Sequence, residues 1–133
     1  MNTYATIHAV AQNREGKYLI LQRAEHRTNP GKWNFITGYI QERESAEEAA
    51  LRELKEETNL DGEIVATTEP WWRDHEGKRF VIISSLVKIS NEDELKIDPG
   101  ESQMHQWVSP TDAIVQDSSV MREDFIRLGL LKA

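Results

Sequence analysis

The sequence predicts a single α/β domain, and three observations predict it. Strand-like segments lie both before and after one strongly marked helix, the pattern of a sheet with helices packed on it. The chain has 133 residues, the length of one domain with a modest core of its own. It contains no cysteine, so neither a disulfide framework nor a thiolate metal site substitutes for that core.

Taken in order, Thr3 to Ala11 is apolar with interruptions, and Lys17 to Gln22 (KYLILQ) reads as a short buried strand. The turn residues Asn13 to Gly16 between them predict a hairpin. His26 to Lys32 is a loop by its Asn-Pro-Gly, and Trp33 to Ile40 is expected as one short strand broken by Gly38. Ser45 to Thr58 is the clearest helix. Ser45 followed three residues later by Glu48 is a capping box, and Asn59 sits just past the last turn. Ile64 to Arg73 and Arg79 to Ser90 are strand-rich on either side of the polar turn Asp74 to Lys78, which predicts a second hairpin. Asn91 to Gly100 is a charged loop, Met104 to Val108 a last short strand, and Val120 to Leu131 a closing helix. No repeat, low-complexity tract or linker divides the chain, so residues 1–133 are read as one domain.

The net charge is −7, from 23 acidic and 16 basic side chains. That balance opposes an extended nucleic-acid surface, which needs a basic stripe to displace counterions. The N-terminal MNTYATIHAV lacks the basic and apolar regions of a signal peptide, and no apolar run approaches the roughly 20 residues that cross a bilayer. The expectation is a soluble, cytoplasmic protein with no membrane partner. The charge is unevenly placed: +3 over residues 1–40, −4 over residues 41–57 and −6 over the rest.

The acidic helix carries the most information. A solvated helix laced with pairs such as Glu48–Arg52 is the plainer account of its charge. Helical geometry argues otherwise. With Glu53 at zero, Glu57 falls at about 40° and Glu56 at about 300°, and Ala46, Ala49 and Ala50 share that sector. Arg52, Lys55 and Glu48 fall together at roughly 200–260°, the expected water side. Three carboxylates extending an alanine-lined face repel one another and lose hydration unless something positive compensates. A hard divalent cation such as Mg²⁺ takes carboxylate oxygens and keeps open positions for phosphates.

The segment before the helix extends the pattern. Gly38, Glu44, Arg52, Glu53, Leu54, Glu56, Glu57 and Leu60 fall at eight of the nine defined positions of a Gly-x5-Glu-x7-Arg-Glu-U-x-Glu-Glu-x-Gly-U motif, where U is bulky and aliphatic. This resembles the signature of the Nudix hydrolases (MutT-like), with the box at residues 38–60. The resemblance implies an α/β/α sandwich with a mixed sheet and a loop-helix-loop catalytic motif. It also implies hydrolysis of a nucleoside diphosphate linked to another group. Three departures stand out. Asn59 replaces the second Gly at a position that wants a left-handed backbone, where Asn is the usual second choice. Ile36-Thr37 replaces a common Pro-Gly, and Arg43 replaces a frequent Gly.

By the resemblance and the shared sector, Glu53, Glu56 and Glu57 are the expected ligands of Mg²⁺, with Mn²⁺ as a substitute. Glu44 and Arg52 are expected as support, Arg52 pairing with Glu44 or steering Glu56. Gly38 permits a tight loop and close backbone approach. Glu101, in a Glu-x5-Trp arrangement ending at Trp107, is the candidate general base, against the alternative of a solvated loop carboxylate. Arg23, Trp33 and Gly38 are the candidates for substrate contact, Arg23 for phosphate or else a simple strand-end charge. Trp71 and Trp72 alternate faces, so one should look outward, where it could stack a heterocycle or merely be exposed. The histidines show no metal spacing.

The Trp-Asn-Phe-Ile-Thr-Gly run resembles the dihydroneopterin triphosphate (dATP) pyrophosphohydrolase branch. The expected reaction splits a nucleoside or pterin triphosphate into monophosphate and pyrophosphate. ADP-sugars or dinucleoside polyphosphates are the alternative substrates, and an inactive nucleotide sensor or an acidic interaction helix the alternative classes. A monomer and a homodimer are both compatible with the sequence.

Overall fold

A computed structural model describes all residues, 1–133. Its centre is a mixed eight-stranded sheet: β1 (Asn2–Gln12), β2 (Tyr18–Arg23), β3 (Trp33–Asn34), β4 (Ile36–Tyr39), β5 (Gly62–Thr67), β6 (Trp71–His75), β7 (Lys78–Ile89) and β8 (Ser102–Val108). The helices are α1 (Ala46–Thr58), α2 (Ala113–Gln116) and α3 (Ser119–Arg127), with a 3-10 turn at Glu92–Glu94.

Alternation along β1 sorts its side chains between two cores. Ile7, Ala9 and Ala11 join Leu19, Leu21, Ile36 and Val87 beneath Ala49, Ala50 and Leu54 of α1. Val10 joins Tyr18, Ile20, Phe35 and Leu86 beneath Val115 of α2 and Met121 and Phe125 of α3. The result is the expected α/β/α sandwich with a mixed sheet. β1 and β7 form the parallel pair, in register from Asn2↔Lys78 to Gln12↔Lys88. Every other pairing is antiparallel.

Three element boundaries differ from expectation. The strand expected over 33–40 breaks at Phe35, not Gly38. Phe35 inserts into the second core, and its amide donates to Asn34 Oδ1 at 2.8 Å instead of to a ladder partner. Consequently β3 pairs with β2 while β4 pairs with β1, and Gly38 lies inside β4 opposite Ile7. The strand expected over 64–73 is two strands laid end to end along the same edge of β7. Pro70 between them has no N–H for a ladder. The closing helix expected over 120–131 ends early, at Arg127, and begins at Ser119, where Ser118 caps α3 by accepting from Met121 N at 3.1 Å; an unexpected short α2 precedes it. Positive-φ Gly129 follows the last turn of α3.

α1 forms as its local signals dictate. Ser45 Oγ accepts from Glu48 N at 3.0 Å, and Glu48 Oε1 accepts from Ser45 N at 2.9 Å. Asn59 ends the helix in the left-handed region (φ 63°) while its N–H donates to Lys55 O. Arg43, the other departure from glycine, also has φ 63°. No helix is long and apolar enough to cross a membrane.

Candidate active site

The site is assembled on the outer end of α1. Alanines at 49 and 50, both fully buried, let the helix lie close on the sheet, so the carboxylates one turn later meet β4. Gly38 sits under Glu53, and a methyl group added there would overlap the Glu53 carboxyl carbon. The glycine is required for this close approach. It lies in a strand with no positive φ, so the tight-turn role expected for it does not apply.

The three carboxylates differ in their surroundings. Glu57 is only 9% exposed, and its Oε2 is buried with no hydrogen-bond partner. Burial, then the adjoining Glu53 carboxyl within hydrogen-bonding reach, push its pKa up to about 9; Glu101 adds repulsion and Arg23 opposes it. Glu53 is half-buried against Arg52, and Glu56 is largely exposed. No three acidic or histidine side chains stand together in ligand geometry. Glu53 and Glu57 adjoin, while Glu56 is turned toward Arg52.

Arg52 is the organiser of the box. Its Nε donates to Glu44 Oε2 at 2.6 Å and its Nη2 to Glu44 Oε1 at 2.9 Å, a fork that fits a carboxylate. Nη1 donates to Glu53 at 2.8 Å and Glu56 at 3.2 Å, and Nη2 to the Tyr39 carbonyl at 3.1 Å. Glu44 also accepts from Gln41 N, and the Arg52 hydrogen bond holds its pKa below the usual carboxylate range. Arg52 therefore does not face water as its helical angle predicts. Its long side chain folds back along the helix and becomes partly buried among acids.

Glu101 reaches this cluster through a loop clamped to the helix end. Asp98 N donates to Glu57 O and Lys96 N to Thr58 O, both at 2.9 Å, satisfying carbonyls that a helix C-terminus leaves open. Asp98 Oδ1 then accepts from Gly100 N, and Glu101 O accepts from Ala24 N at 3.0 Å. The Glu101 carboxylate is left close enough to repel that of Glu57. Arg23, paired with Ser102 in the sheet, lies near enough to Glu57 to oppose its raised pKa. Its Nε and Nη2 also donate to Thr28. Beside Glu56 a pocket of ≈ 410 Å³ is lined by Lys55, Asn59, Lys96 and Asp98 among others.

Trp33 is not brought to the carboxylates. Its partner in the ladder is Gln22, on the face that carries Ile20, and it packs half-buried against the core under α3. Trp71 is buried and Trp72 is 59% exposed, with the Arg79 guanidinium 4.3 Å from its ring centroid. Trp107 packs against the core under α1. Sequence reasoning missed Arg27, whose guanidinium lies 3.4 Å from Glu101 Oε2. Nothing local marks it, since the two residues meet only through tertiary structure.

Comparison with known proteins agrees with this geometry. The NUDIX domain profile matches residues 2–127. The nucleoside triphosphatase NudI of Escherichia coli O17:K52:H18 is 32% identical over 132 residues, covering 88% of this chain and 91% of that protein. Among solved structures, a MutT protein from Methanosarcina mazei Go1 superimposes with a TM-score of 0.80 at 24% identity, covering 96% of this chain and 94% of that one. The Ap4A hydrolase of C. elegans superimposes with a TM-score of 0.78 at 24% identity, covering 95% of each chain. The chain belongs to the Nudix family. It is a Nudix hydrolase, an enzyme acting on phosphoric anhydride bonds, in a family that generally uses a divalent metal such as Mg²⁺.

Proposed function

We propose that the protein is a Mg²⁺-dependent pyrophosphohydrolase that splits a nucleoside or pterin triphosphate into the monophosphate and pyrophosphate, with Mn²⁺ able to substitute. The observation that carries this reading is the buried, unpartnered Oε2 of Glu57 against the Glu53 carboxyl. A buried carboxylate pair without compensating donors is unfavourable unless a cation or a shared proton meets it. An all-oxygen donor set on one helix suits a hard divalent ion. Glu53, Glu56 and Glu57 would hold that ion, which neutralises phosphate oxygens and lowers the pKa of a bound water.

The remaining roles belong to the chain's own groups. Glu44 and Arg52 position Glu53 and Glu56 through the fork and its shared Nη1. Arg23 binds phosphate, and its bonds to Thr28 hold its guanidinium in place. Glu101 accepts the proton of the attacking water. The similarity to NudI, a nucleoside triphosphatase, supports a triphosphate substrate. The Trp-Asn-Phe-Ile-Thr-Gly run adds pterin triphosphate to the candidates.

The test is a panel of dNTPs, pterin triphosphate, ADP-sugars and dinucleoside polyphosphates with Mg²⁺, scored for pyrophosphate against orthophosphate. Pyrophosphate from triphosphates is the expected result. AMP released from ADP-sugars alone would overturn the substrate class.

A further inference from the structure

Glu101 has one basic contact, Arg27, and the pair bridges the loop after β2 to the loop before β8. We propose that Arg27 is a positioning residue: it holds the Glu101 carboxylate until the substrate's phosphate chain takes its guanidinium, which frees Glu101 for the attacking water. This rests on the reading of Glu101 as the general base.

The backbone at both ends is tied, so side chains rather than loops must make the exchange. Ala24 N donates to Glu101 O at 3.0 Å, His26 Nε2 lies 3.0 Å from Gly100 O, and Arg27 N donates to Ala24 O at 3.1 Å. Between these ties the Arg27–Glu101 contact is loose: 3.4 Å, through one guanidinium nitrogen, with the side chains 40% and 34% exposed. Exposed single contacts of this kind are weak. A phosphate chain offers the guanidinium more charge and a matching fork, so the exchange favours it.

Electrostatics select this contact as the one to break. Arg27 pairs with Glu101, and Glu57 lies near enough to both Glu101 and Arg23 to feel each. Phosphate that reaches Arg23 can draw in a second cation only by taking it from an acid. Arg52 is held by three acids and a carbonyl, and Arg23 by Thr28, which leaves Arg27 as the least restrained donor. Once released, Glu101 accepts a proton from water as the water oxygen bonds to phosphorus. The bridging P–O bond breaks, its electron pair leaves with the departing phosphate, and the proton later passes to solvent.

The experiment measures binding of inorganic tripolyphosphate with Ca²⁺ by calorimetry, and Mg²⁺-dependent kcat and KM on the best triphosphate. The variants are Arg27→Ala, Arg27→Lys, Glu101→Gln and the double Arg27→Ala/Glu101→Gln. Arg27→Ala is expected to weaken tripolyphosphate about tenfold and to raise KM more than it lowers kcat, with Arg27→Lys restoring only part of the loss because it keeps the charge and not the fork. Glu101→Gln is expected to tighten tripolyphosphate about threefold, because Arg27 is already free, and to lose that gain in the double variant. Equal tightening by Glu101→Gln with and without Arg27 would sink the exchange, since simple charge removal needs no Arg27. Unchanged kcat in Glu101→Gln would instead remove Glu101 as the base, a separate failure.

Discussion

The two faces of the sheet each bury a carboxylate and treat it in opposite ways. Under α3, Asp124 is fully buried, with Oδ2 2.7 Å from His8 Nδ1 and Oδ1 accepting from the Ser84 hydroxyl. Ser84 in turn accepts from Trp71 Nε1 at 3.2 Å. Under α1, Glu57 is nearly as buried, yet Oε2 has no partner and the group beside it is the Glu53 carboxyl. A satisfied buried network fixes where α3 sits on the sheet. An unsatisfied one is a cost that only something outside the chain can relieve, which is why the proposed site is placed on the α1 face.

The contrast is broken most severely by Glu57→Gln. Turnover should fall at least about a thousandfold, equivalent to ~4 kcal/mol, with no drop in thermal stability. Turnover near the wild-type rate would remove Glu57 from the site.

Asp124→Ala should do the reverse. It leaves His8 and Ser84 unpaired in the interior and should cost about 3 kcal/mol in urea denaturation, with kcat per folded molecule changed less than about twofold. Lost activity at unchanged stability would place this network in the catalytic machinery and erase the difference between the faces.

The raised pKa of Glu57 gives a pH signature with a definite sign. Below its ordinary 4.5 the group is protonated both folded and unfolded; above that, the unfolded chain releases the proton and the fold keeps it until about 9. Stability of the protein in chelator should therefore fall as pH rises through that window. Between pH 5 and pH 8 the loss attributable to Glu57 is on the order of 1–3 kcal/mol, and Glu57→Gln should abolish that part. Denaturant midpoints of both proteins at the two pH values provide the check. Parallel curves would mean that Glu57 ionises freely.

The smallest effect is expected from Gly38→Ala, which sharpens the account of how the carboxylates are aligned. The added methyl must displace the Glu53 carboxyl from Glu57 and Arg52. A loss of about tenfold in kcat/KM with an intact fold is the expected outcome, since misplaced groups lose rate before stability. Full activity would show that Glu53 tolerates displacement.

Much of the α1 face was legible in the sequence because its signals are short-range. The capping box links Ser45 to Glu48, and Asn59 takes the left-handed end that its residue type tolerates. The box spacing places Glu44 where the Arg52 fork can reach it. The other face was opaque for the opposite reason: His8 and Asp124 are 116 residues apart. Trp33 illustrates the same limit, since its register with Gln22, rather than its neighbours in sequence, assigns it to the core under α3.

Residue type and spacing alone therefore determined the α/β class and the helix with both its ends, while the acidic set remains a proposal. Those features rest on interactions within about one or two helical turns, which a linear pattern can carry. Tertiary structure alone decided the break at Phe35, the division of β5 from β6, and the approach of Glu101 and Arg27. It also decided which carboxylate loses its water. Burial is a property of what the whole chain packs around a group, and no local pattern states it.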